Sequence, residues 1–118
     1  MAKEIKIVDS KDLKPKKWED GFSFLSLITK SREHVDTVTV GISIIDAGKY
    51  FPDVYYDDHD EIVYQLEGDA TITWEGRKVE FHPGMIIYIP KGAKYNYQCG
   101  PTQNRHLVIW APAFDHYD

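Results

Sequence analysis

Cysteine, long apolar runs and clustered basic residues are all scarce in this chain of 118 residues. The single cysteine, Cys99, excludes an internal disulfide, and the charged stretch from Met1 to Lys17 lacks the apolar run of a signal peptide or membrane helix. With 14 Lys and Arg against 19 Asp and Glu, the net charge is −5, and no basic stripe runs along the chain. These features predict a cytoplasmic protein with neither a nucleic-acid nor a membrane partner.

A helical period and a phosphate-binding loop are also missing. No window of about a dozen residues repeats apolar side chains every ~3.6 positions, and no Gly-rich segment ends in Lys followed by Ser or Thr. The chain instead has short apolar runs between turn residues, and its 14% of aromatic residues favours strands and ligand walls. We predict a single all-β domain over residues 1–118, with N-terminal strands over about 1–46 and a barrel core over about 47–114.

The turns are most regular in the second half of the chain, where they recur at intervals of about eight residues, as in a barrel or sandwich. Their sequences are Glu67-Gly68-Asp69, Glu75-Gly76-Arg77, His82-Pro83-Gly84 and Pro90-Lys91-Gly92. The predicted strands are Glu4 to Val8, Phe22 to Thr29, Thr37 to Ile45, Glu61 to Leu66, Ala70 to Trp74, Met85 to Ile89, Tyr95 to Cys99 and His106 to Trp110, with a loop from Lys30 to Asp36.

Two segments of this region have a regular frame of glutamate, glycine and proline. Glu61 precedes Gly68 by a strand-length run, and Gly84 is followed by Pro90 and Gly92. These segments resemble the two motifs of the cupin family. The resemblance implies a double-stranded β-helix, also described as a jelly-roll barrel, in which three histidines and a glutamate hold a metal.

The expected metal-binding positions are mostly altered in this chain. Where the family pattern has His, His, Glu and His, the sequence has Tyr55, Asp57, Glu61 and Tyr95. Because imidazole is the commonest ligand for transition metals in such sites, we expect a degenerate metal site with no confident ligand set. If a divalent metal ion is bound, Asp57, His59 and Glu61 are the expected ligands.

A more specific resemblance covers about the last half of the chain, from Phe51 to Phe114. This part resembles the cupin domain of the EutQ-type ethanolamine-utilisation proteins, which implies an accessory role in a metabolic pathway. An acetate kinase activity is attributed to that family, but we do not expect it here because the sequence has no Gly-rich phosphate-binding loop. The residues that carry the resemblance are Phe51-Pro52, Asp60-Glu61, Leu66-Glu67-Gly68, Glu75-Gly76, Ile89-Pro90-Lys91-Gly92, Arg105 and Ala111-Pro112-Ala113.

The candidate catalytic residues follow from the two-residue period of a strand. That period places Tyr55, Asp57, His59 and Glu61 on one face, opposite a strand that carries Tyr95. Glu61 is the leading candidate for acid or base, with Asp57, His59 and Tyr95 in support. Asp57 either shares a proton with Glu61 or lies at the rim in water. His59 either transfers protons or supports the wall.

The candidate ligand-binding residues are Tyr55, Gln65, Tyr97 and Trp110. Gln65 lies on the face of Glu61 and either orients a ligand or forms an interior hydrogen bond. The aromatic side chains either stack on a ligand or fill the barrel. The last strand can be registered with His106 and Trp110 facing inward or outward, and neither His82 nor His116 is assigned a role.

Two functional hypotheses remain open on the sequence. In the first, the protein binds a small polar metabolite in the barrel and acts as a lyase or isomerase through acid and base chemistry at Glu61. In the second, it is a non-catalytic binding or assembly module. In both we expect a homodimer, because open strand edges in the N-terminal part need partners.

Overall fold

The structure is a computed structural model that describes residues 4–117. The chain forms ten strands and one short 3-10 turn, Ser10–Asp12. No helix among the described residues is long and apolar enough to cross a membrane. The strands are β1 (Lys16–Glu19), β2 (Phe22–Ile28), β3 (Thr39–Ile45), β4 (Tyr50–Val54), β5 (Asp60–Glu67), β6 (Ala70–Trp74), β7 (Arg77–Phe81), β8 (Ile86–Ile89), β9 (Tyr95–Cys99) and β10 (Asn104–Ala111).

The strands form two antiparallel sheets that enclose a single core. The larger sheet has the order β1-β2-β3-β10-β5-β8, and the smaller has the order β4-β9-β6-β7. Buried residues of both sheets meet between them, with Val63 and Val108 from the larger sheet and Ile72 and Phe81 from the smaller. The predicted jelly-roll barrel is confirmed, and the N-terminal strands β2 and β3 share a sheet with the motif-bearing β5.

Most predicted strands are present within two residues of their predicted ends, but the first one is wrong. Glu4 to Val8 is irregular, and its Ile5 and Ile7 side chains are 89% and 91% exposed. The alternating pattern is that of a strand, yet no other strand of the described chain pairs with it, and an isolated strand has no stability in water. Three strands that the sequence analysis missed, β1, β4 and β7, are short and rich in charged or exposed residues.

A glycine on β3, Gly41, leaves room for a side chain of β2 in the core. A Cβ atom at Gly41 would lie 2.0 Å from the ring of Phe24, so only glycine leaves room for that ring. Phe24 packs with its ring centroid 5.5 Å from that of Trp110 on β10 and 4.8 Å from that of Tyr117 in the C-terminal tail. Gly41 therefore helps to position the aromatic rings behind the cavity described below.

The outer face of the larger sheet is apolar across five strands. The outer face is the side of the sheet that is turned away from the core. On it, residues that pair across adjacent strands form two rows. At β8, which is an edge strand, Ile86 and Tyr88 are 63% and 59% exposed. The rows are Leu25, Ile42, Leu107, Tyr64 and Ile86, and Ile28, Val40, Ile109, Ile62 and Tyr88. We call these ten residues the outer apolar face.

Candidate active site

A cavity of about 200 Å³ opens into the barrel between the two sheets. Strands of both sheets line it, and the C-terminal tail adds Tyr117 to its wall. The lining combines carboxylates, phenols, one imidazole and several apolar side chains. The lining residues are Glu19, Phe22, Ser43, Ile45, Phe51, Val54, Tyr56, Glu61, Tyr95, Tyr97, His106, Trp110 and Tyr117.

Glu61 and Tyr95 form a hydrogen bond that joins the two sheets across this cavity. Glu61 lies on β5 of the larger sheet and Tyr95 on β9 of the smaller, and both side chains point inward. The Tyr95 hydroxyl donates to Glu61 Oε1 at 2.8 Å. The sequence analysis placed these residues on facing strands, and this contact is the geometry that it predicted.

The Glu61 carboxyl group is held near the point at which it gains or loses a proton at neutral pH. Only 4% of the residue is exposed, and burial raises its pKa from 4.5 to about 7. The Tyr95 hydroxyl and the Trp110 indole act in the opposite direction by stabilising the carboxylate. The buried Nε1–H of Trp110 has no acceptor at hydrogen-bond distance and angle among the described residues.

The phenols around Glu61 stay protonated. Burial raises the pKa of Tyr95 well above 10, and the neighbouring Glu61 charge adds to the effect. The pKa of Tyr56 is raised by burial and by Glu61 in the same way, and its side chain also hydrogen-bonds to Tyr117. Tyr95 therefore acts as a permanent hydrogen-bond donor that orients the carboxyl group, while Glu61 is the group able to exchange a proton.

Five aromatic rings form a continuous wall beside the carboxyl group. Consecutive ring centroids along this wall are separated by 5.9 Å, 5.9 Å, 5.3 Å and 5.7 Å, within the range of aromatic pairs. We call it the aromatic wall, and its members in order are Phe51, Phe22, Tyr117, Trp110 and Tyr56.

A second polar cluster lies farther along the same strands. Asn104 donates a hydrogen bond to the Tyr97 hydroxyl at 2.8 Å, and that hydroxyl lies 3.4 Å from both Gln65 Oε1 and His106 Nδ1. Burial lowers the pKa of His106 to about 4, so its imidazole is neutral at pH 7. Gln65 also donates to the Gly68 carbonyl at 2.9 Å. Tyr97 and His106 line the cavity, whereas Gln65 lies behind them as the interior hydrogen-bonded amide.

Two of the predicted site residues, Tyr55 and Asp57, lie outside the cavity. Tyr55 is 46% exposed, with the Lys94 ammonium 5.1 Å from its ring centroid, and Asp57 is also exposed. The prediction that they line the cavity with Glu61 is wrong because β5 begins at Asp60, so the two-residue period does not extend to residues 55–59. Asp57 therefore has the exposed position of the second alternative, at the rim in water, and Tyr56 lines the cavity instead of Tyr55.

The set proposed for a divalent metal, Asp57, His59 and Glu61, is also separated. His59 packs against Phe114, with ring centroids 4.5 Å apart, and does not line the cavity. Among residues 4–117, no three His, Cys, Asp or Glu side chains are close enough to hold one metal ion. Glu61 and His106 are the cavity's buried candidate ligands, and phenols whose pKa is raised are poor partners for them.

Tyr56, Tyr117, Phe22 and Phe51 were not predicted to line the cavity. Phe51 was noted only as part of the family resemblance, and Tyr117 follows the last predicted strand. Tyr117 reaches the cavity because the tail folds back, with the Ser26 hydroxyl donating to the Tyr117 carbonyl oxygen at 2.7 Å. The density of aromatic residues near both ends of the barrel core was the available signal, but it did not reveal which rings face inward.

The two facing sheets and the interior glutamate define a cupin barrel. A solved RmlC-like cupin from Shewanella frigidimarina NCIMB 400 superposes with a TM-score of 0.81 at 14% identity, covering 98% of this chain and 97% of that one. The chain belongs to the EutQ family, described as ethanolamine utilisation protein EutQ, whose match covers residues 3–115. Both family resemblances inferred from the motifs are thereby confirmed.

Individual relatives agree with this assignment. The structure of ethanolamine utilization protein Q from Salmonella typhimurium LT2 superposes with a TM-score of 0.75 at 26% identity, covering 93% of this chain and 88% of that one. The curated relative, acetate kinase EutQ of Clostridioides difficile strain 630, is 38% identical over 55 residues. That match spans 47% of this chain and only 34% of the relative.

Proposed function

We propose that the barrel binds a small polar metabolite and transfers a proton to or from it through Glu61, as a lyase or isomerase does. The observation that carries this proposal is the buried Glu61 carboxyl group, hydrogen-bonded to Tyr95 at 2.8 Å inside a cavity. A carboxyl group with a pKa of about 7 is populated in both protonation states at neutral pH, which favours general acid and base chemistry.

The surrounding residues have distinct parts in this proposal. Tyr95 holds one carboxyl oxygen, so the other oxygen is the one available to a ligand. The Trp110 indole N–H stabilises the Glu61 carboxylate without meeting hydrogen-bond distance and angle, so a small shift would let it donate to the carboxylate or to an acceptor group of a ligand. Tyr97 and His106 supply a neutral polar surface farther along the strands, because four positions separate Trp110 from His106 on β10 and two separate Tyr95 from Tyr97 on β9.

A thermal-shift screen of small acids, amines, alcohols and sugars, followed by turnover assays on the hits, tests this proposal. A ligand at a hundred times its dissociation constant should raise the free energy of unfolding by about 2.7 kcal/mol. Glu61→Gln keeps the shape and the Tyr95 hydrogen bond and should abolish turnover. Glu80→Gln, an exposed change on β7, is the matched control. Turnover by Glu61→Gln at the parent rate would contradict the proposal.

The family assignment supports a metabolic role related to ethanolamine utilisation, and we include that role in the proposal. The acetate kinase activity of the Clostridioides difficile relative is not what this cavity supports. Phosphoryl transfer depends on positive charge around the phosphate, and the described lining contains neither Lys nor Arg.

The outer apolar face supports a second role, assembly into a homodimer. Folded monomers rarely leave large contiguous apolar patches in water, and this face extends over five strands without a charged residue in either row. The two rows on five strands project to roughly 320 Å², so side chains around the outer apolar face must also contribute to reach the ~800 Å² that each partner buries in a stable interface. A second copy supplies an equally flat apolar sheet, so a two-fold axis through the face satisfies both chains.

Light scattering coupled to size-exclusion chromatography tests this assembly. Tyr88→Lys, in the outer apolar face, should convert a dimer to a monomer. Tyr50→Lys, at a 49% exposed tyrosine on β4 of the other sheet, should leave the dimer intact. A parent protein that is monomeric at high micromolar concentration would contradict the proposal. The predicted cytoplasmic location also remains a proposal, and fractionation of cells tests it.

A further inference from the structure

We propose that the ligand of the cavity is a small organic cation, an amine or a quaternary ammonium compound. This inference rests on the proposed function and specifies the chemical class of its ligand. It comes from the charges that line the cavity. Glu19 and Glu61 both contribute carboxylates, while no Lys or Arg is among the described lining residues. Such a lining attracts positive charge and repels carboxylate and phosphate groups.

The aromatic wall adds a second attraction for a cation. Each ring presents a negative face, and a cation within about 6 Å of a ring centroid is attracted to it. Successive rings of the wall stand at 73°, 83°, 26° and 64° to one another, so their faces turn in several directions. Aromatic rings whose faces surround a cation are the arrangement by which proteins recognise quaternary ammonium groups, and three rings of the wall, Tyr56, Trp110 and Tyr117, lie beside Glu61.

The two carboxylates lie at different depths. Glu19, at the end of β1, is exposed, whereas Glu61 is buried beside the wall. Both are close enough to Tyr117 for their charge to raise the pKa of its phenol. Tyr117 therefore lies within the field of both groups, and a cation that enters past the exposed Glu19 meets increasing negative potential towards Glu61.

Among the described residues that line the cavity, no Lys or Arg faces Glu61 to neutralise it. The groups packed around it are Tyr95 from β9, Trp110 from β10, Tyr56 from the segment before β5 and Tyr117 from the tail. His106 is buried and neutral at the other end of the cavity. Outside the lining, the Lys49 ammonium lies 5.9 Å from the Phe51 ring centroid, and the His116 ring lies 4.5 Å from that of Tyr117. A cationic ligand would thus be the direct charge partner of the buried carboxylate.

The charge of a bound ligand should affect the protonation of Glu61, the proposed catalytic group. A bound cation stabilises the carboxylate and so lowers the pKa of Glu61 from about 7. By linkage, the affinity for a cation must rise as the pH rises through that pKa. Binding of an amine would therefore shift Glu61 further towards its base form at neutral pH.

Calorimetric titration of the protein with choline tests the inference. The comparison compound is the isostere 3,3-dimethyl-1-butanol, in which a neutral carbon replaces the charged nitrogen of choline. Choline keeps its charge at every pH, so a pH dependence of its binding reports on the protein. We expect choline to bind at least about tenfold more tightly than the isostere at pH 8. If only the carboxylate form of Glu61 binds, choline affinity should rise about tenfold from pH 6 to pH 8. Equal affinity for the two compounds, or no binding of choline, would overturn the inference.

Two carboxylate variants and a control locate the effect. Glu61→Gln should weaken choline binding at pH 8 at least about tenfold and remove its pH dependence. Glu19→Gln should weaken binding by a smaller factor, about twofold to threefold, because that carboxylate is exposed to solvent. Glu80→Gln should bind choline as the parent does. Unchanged binding by Glu61→Gln would overturn the inference, since the cation would then lie elsewhere.

The failure of this inference differs from the failure of the proposed function. If the isostere or a small carboxylic acid binds in a Glu61-dependent manner and choline does not, the ligand class is wrong while the proton-transfer site stands. If NMR shows Glu61 titrating near 4.5, its value in the absence of burial, the proposed function fails as well.

Discussion

The two polar clusters in the barrel are built by the same three strands, yet only one of them is suited to exchange protons. Near one end, Glu61 of β5, Tyr95 of β9 and Trp110 of β10 meet, with Tyr95 donating to Glu61 at 2.8 Å. Four residues along β5, Gln65 meets Tyr97 of β9, while β10 supplies Asn104 and His106 to the same cluster. The first cluster contains a carboxyl group with a pKa of about 7, and the second contains only groups that are neutral at that pH.

The difference lies in the chemical groups of each cluster and not in how fully they are hydrogen-bonded. Among the described residues, each cluster leaves one buried polar atom without a partner, Trp110 Nε1 in the first and Asn104 Oδ1 in the second. At the second cluster, the Tyr97 hydroxyl contacts three side chains. It therefore has little hydrogen-bonding capacity left for a ligand. At the first, Glu61 receives a hydrogen bond from Tyr95, and the Trp110 indole N–H stabilises its carboxylate without meeting hydrogen-bond distance and angle. These contacts favour a structural role for the second cluster, and our proposal places the ligand at the first. The substitutions below test that division.

The largest expected effect is on the pH dependence of stability in Glu61→Gln. The Glu61 pKa is 4.5 in the unfolded chain and about 7 in the folded one, so the folded state binds more protons between these values. The free energy of unfolding must therefore fall as the pH rises from 4.5 to 7 and level off above it. Glu61→Gln has no carboxyl group at this position, so its free energy of unfolding should not fall in this way. From pH 4 to pH 8, the free energy of unfolding of the variant should therefore rise by about 3 kcal/mol relative to that of the parent, as measured by urea denaturation.

The second largest effect is expected for Tyr97→Phe. Loss of the hydroxyl leaves the amides of Asn104 and Gln65 and the ring of His106 without a common partner in a buried place. An unsatisfied buried polar group costs about 1–3 kcal/mol, so we expect a loss of about 2 kcal/mol in the free energy of unfolding. The loss should be the same at pH 5 and pH 8. A loss below about 0.5 kcal/mol would mean that the second cluster is not structural.

A smaller effect on stability is expected for Tyr95→Phe, because it removes a single hydrogen bond. The free energy of unfolding should fall by about 1 kcal/mol at pH 8. The informative result is the pKa of Glu61, which should rise further because the variant loses a donor that stabilises the carboxylate. NMR titration of the carboxyl carbon measures it. Tyr64→Phe, on the outer apolar face, is the matched control and should leave the Glu61 titration unchanged.

The smallest effect is expected for Asp57→Asn, which tests the corrected position of this residue. Because Asp57 is exposed and outside the cavity lining, the change should alter stability by less than about 0.5 kcal/mol and leave the Glu61 titration unchanged. A shift of the Glu61 titration to lower pH in Asp57→Asn would restore the shared-proton hypothesis.

The strands and the central contact of the site could be predicted because both depend on local sequence. Alternating burial along β9 follows directly from the sequence pattern, and β6 and β9 have the predicted ends. Glu61 and Tyr95 were found through motif spacing, which depends on the glycine and proline turns. The catalytic and binding roles assigned to these residues remain predictions.

The missed parts depend on contacts between distant segments. Whether Tyr55 or Tyr56 faces inward depends on where β5 begins, and the acidic run before Asp60 gives no signal for that boundary. Tyr117 enters the wall only because the tail packs on β2. The inward side of the last strand was ambiguous from sequence, since either parity of β10 is apolar. The structure places His106 and Trp110 inside because Ile109 and Leu107 belong to the outer apolar face.

The size of the cavity depends in part on Gly41 of β3, which is not one of the residues that line it. Phe24 fills the space that a Cβ atom at Gly41 would require, and it supports Trp110 and Tyr117 from behind without being part of the lining. A Cβ atom at Gly41 would also lie 2.8 Å from the backbone carbonyl oxygen of Leu25, so a smaller residue at position 24 does not by itself make room for alanine at position 41. A change at Phe24 alone, such as Phe24→Leu, offers a route to reshape the interior while every residue that lines the cavity keeps its identity.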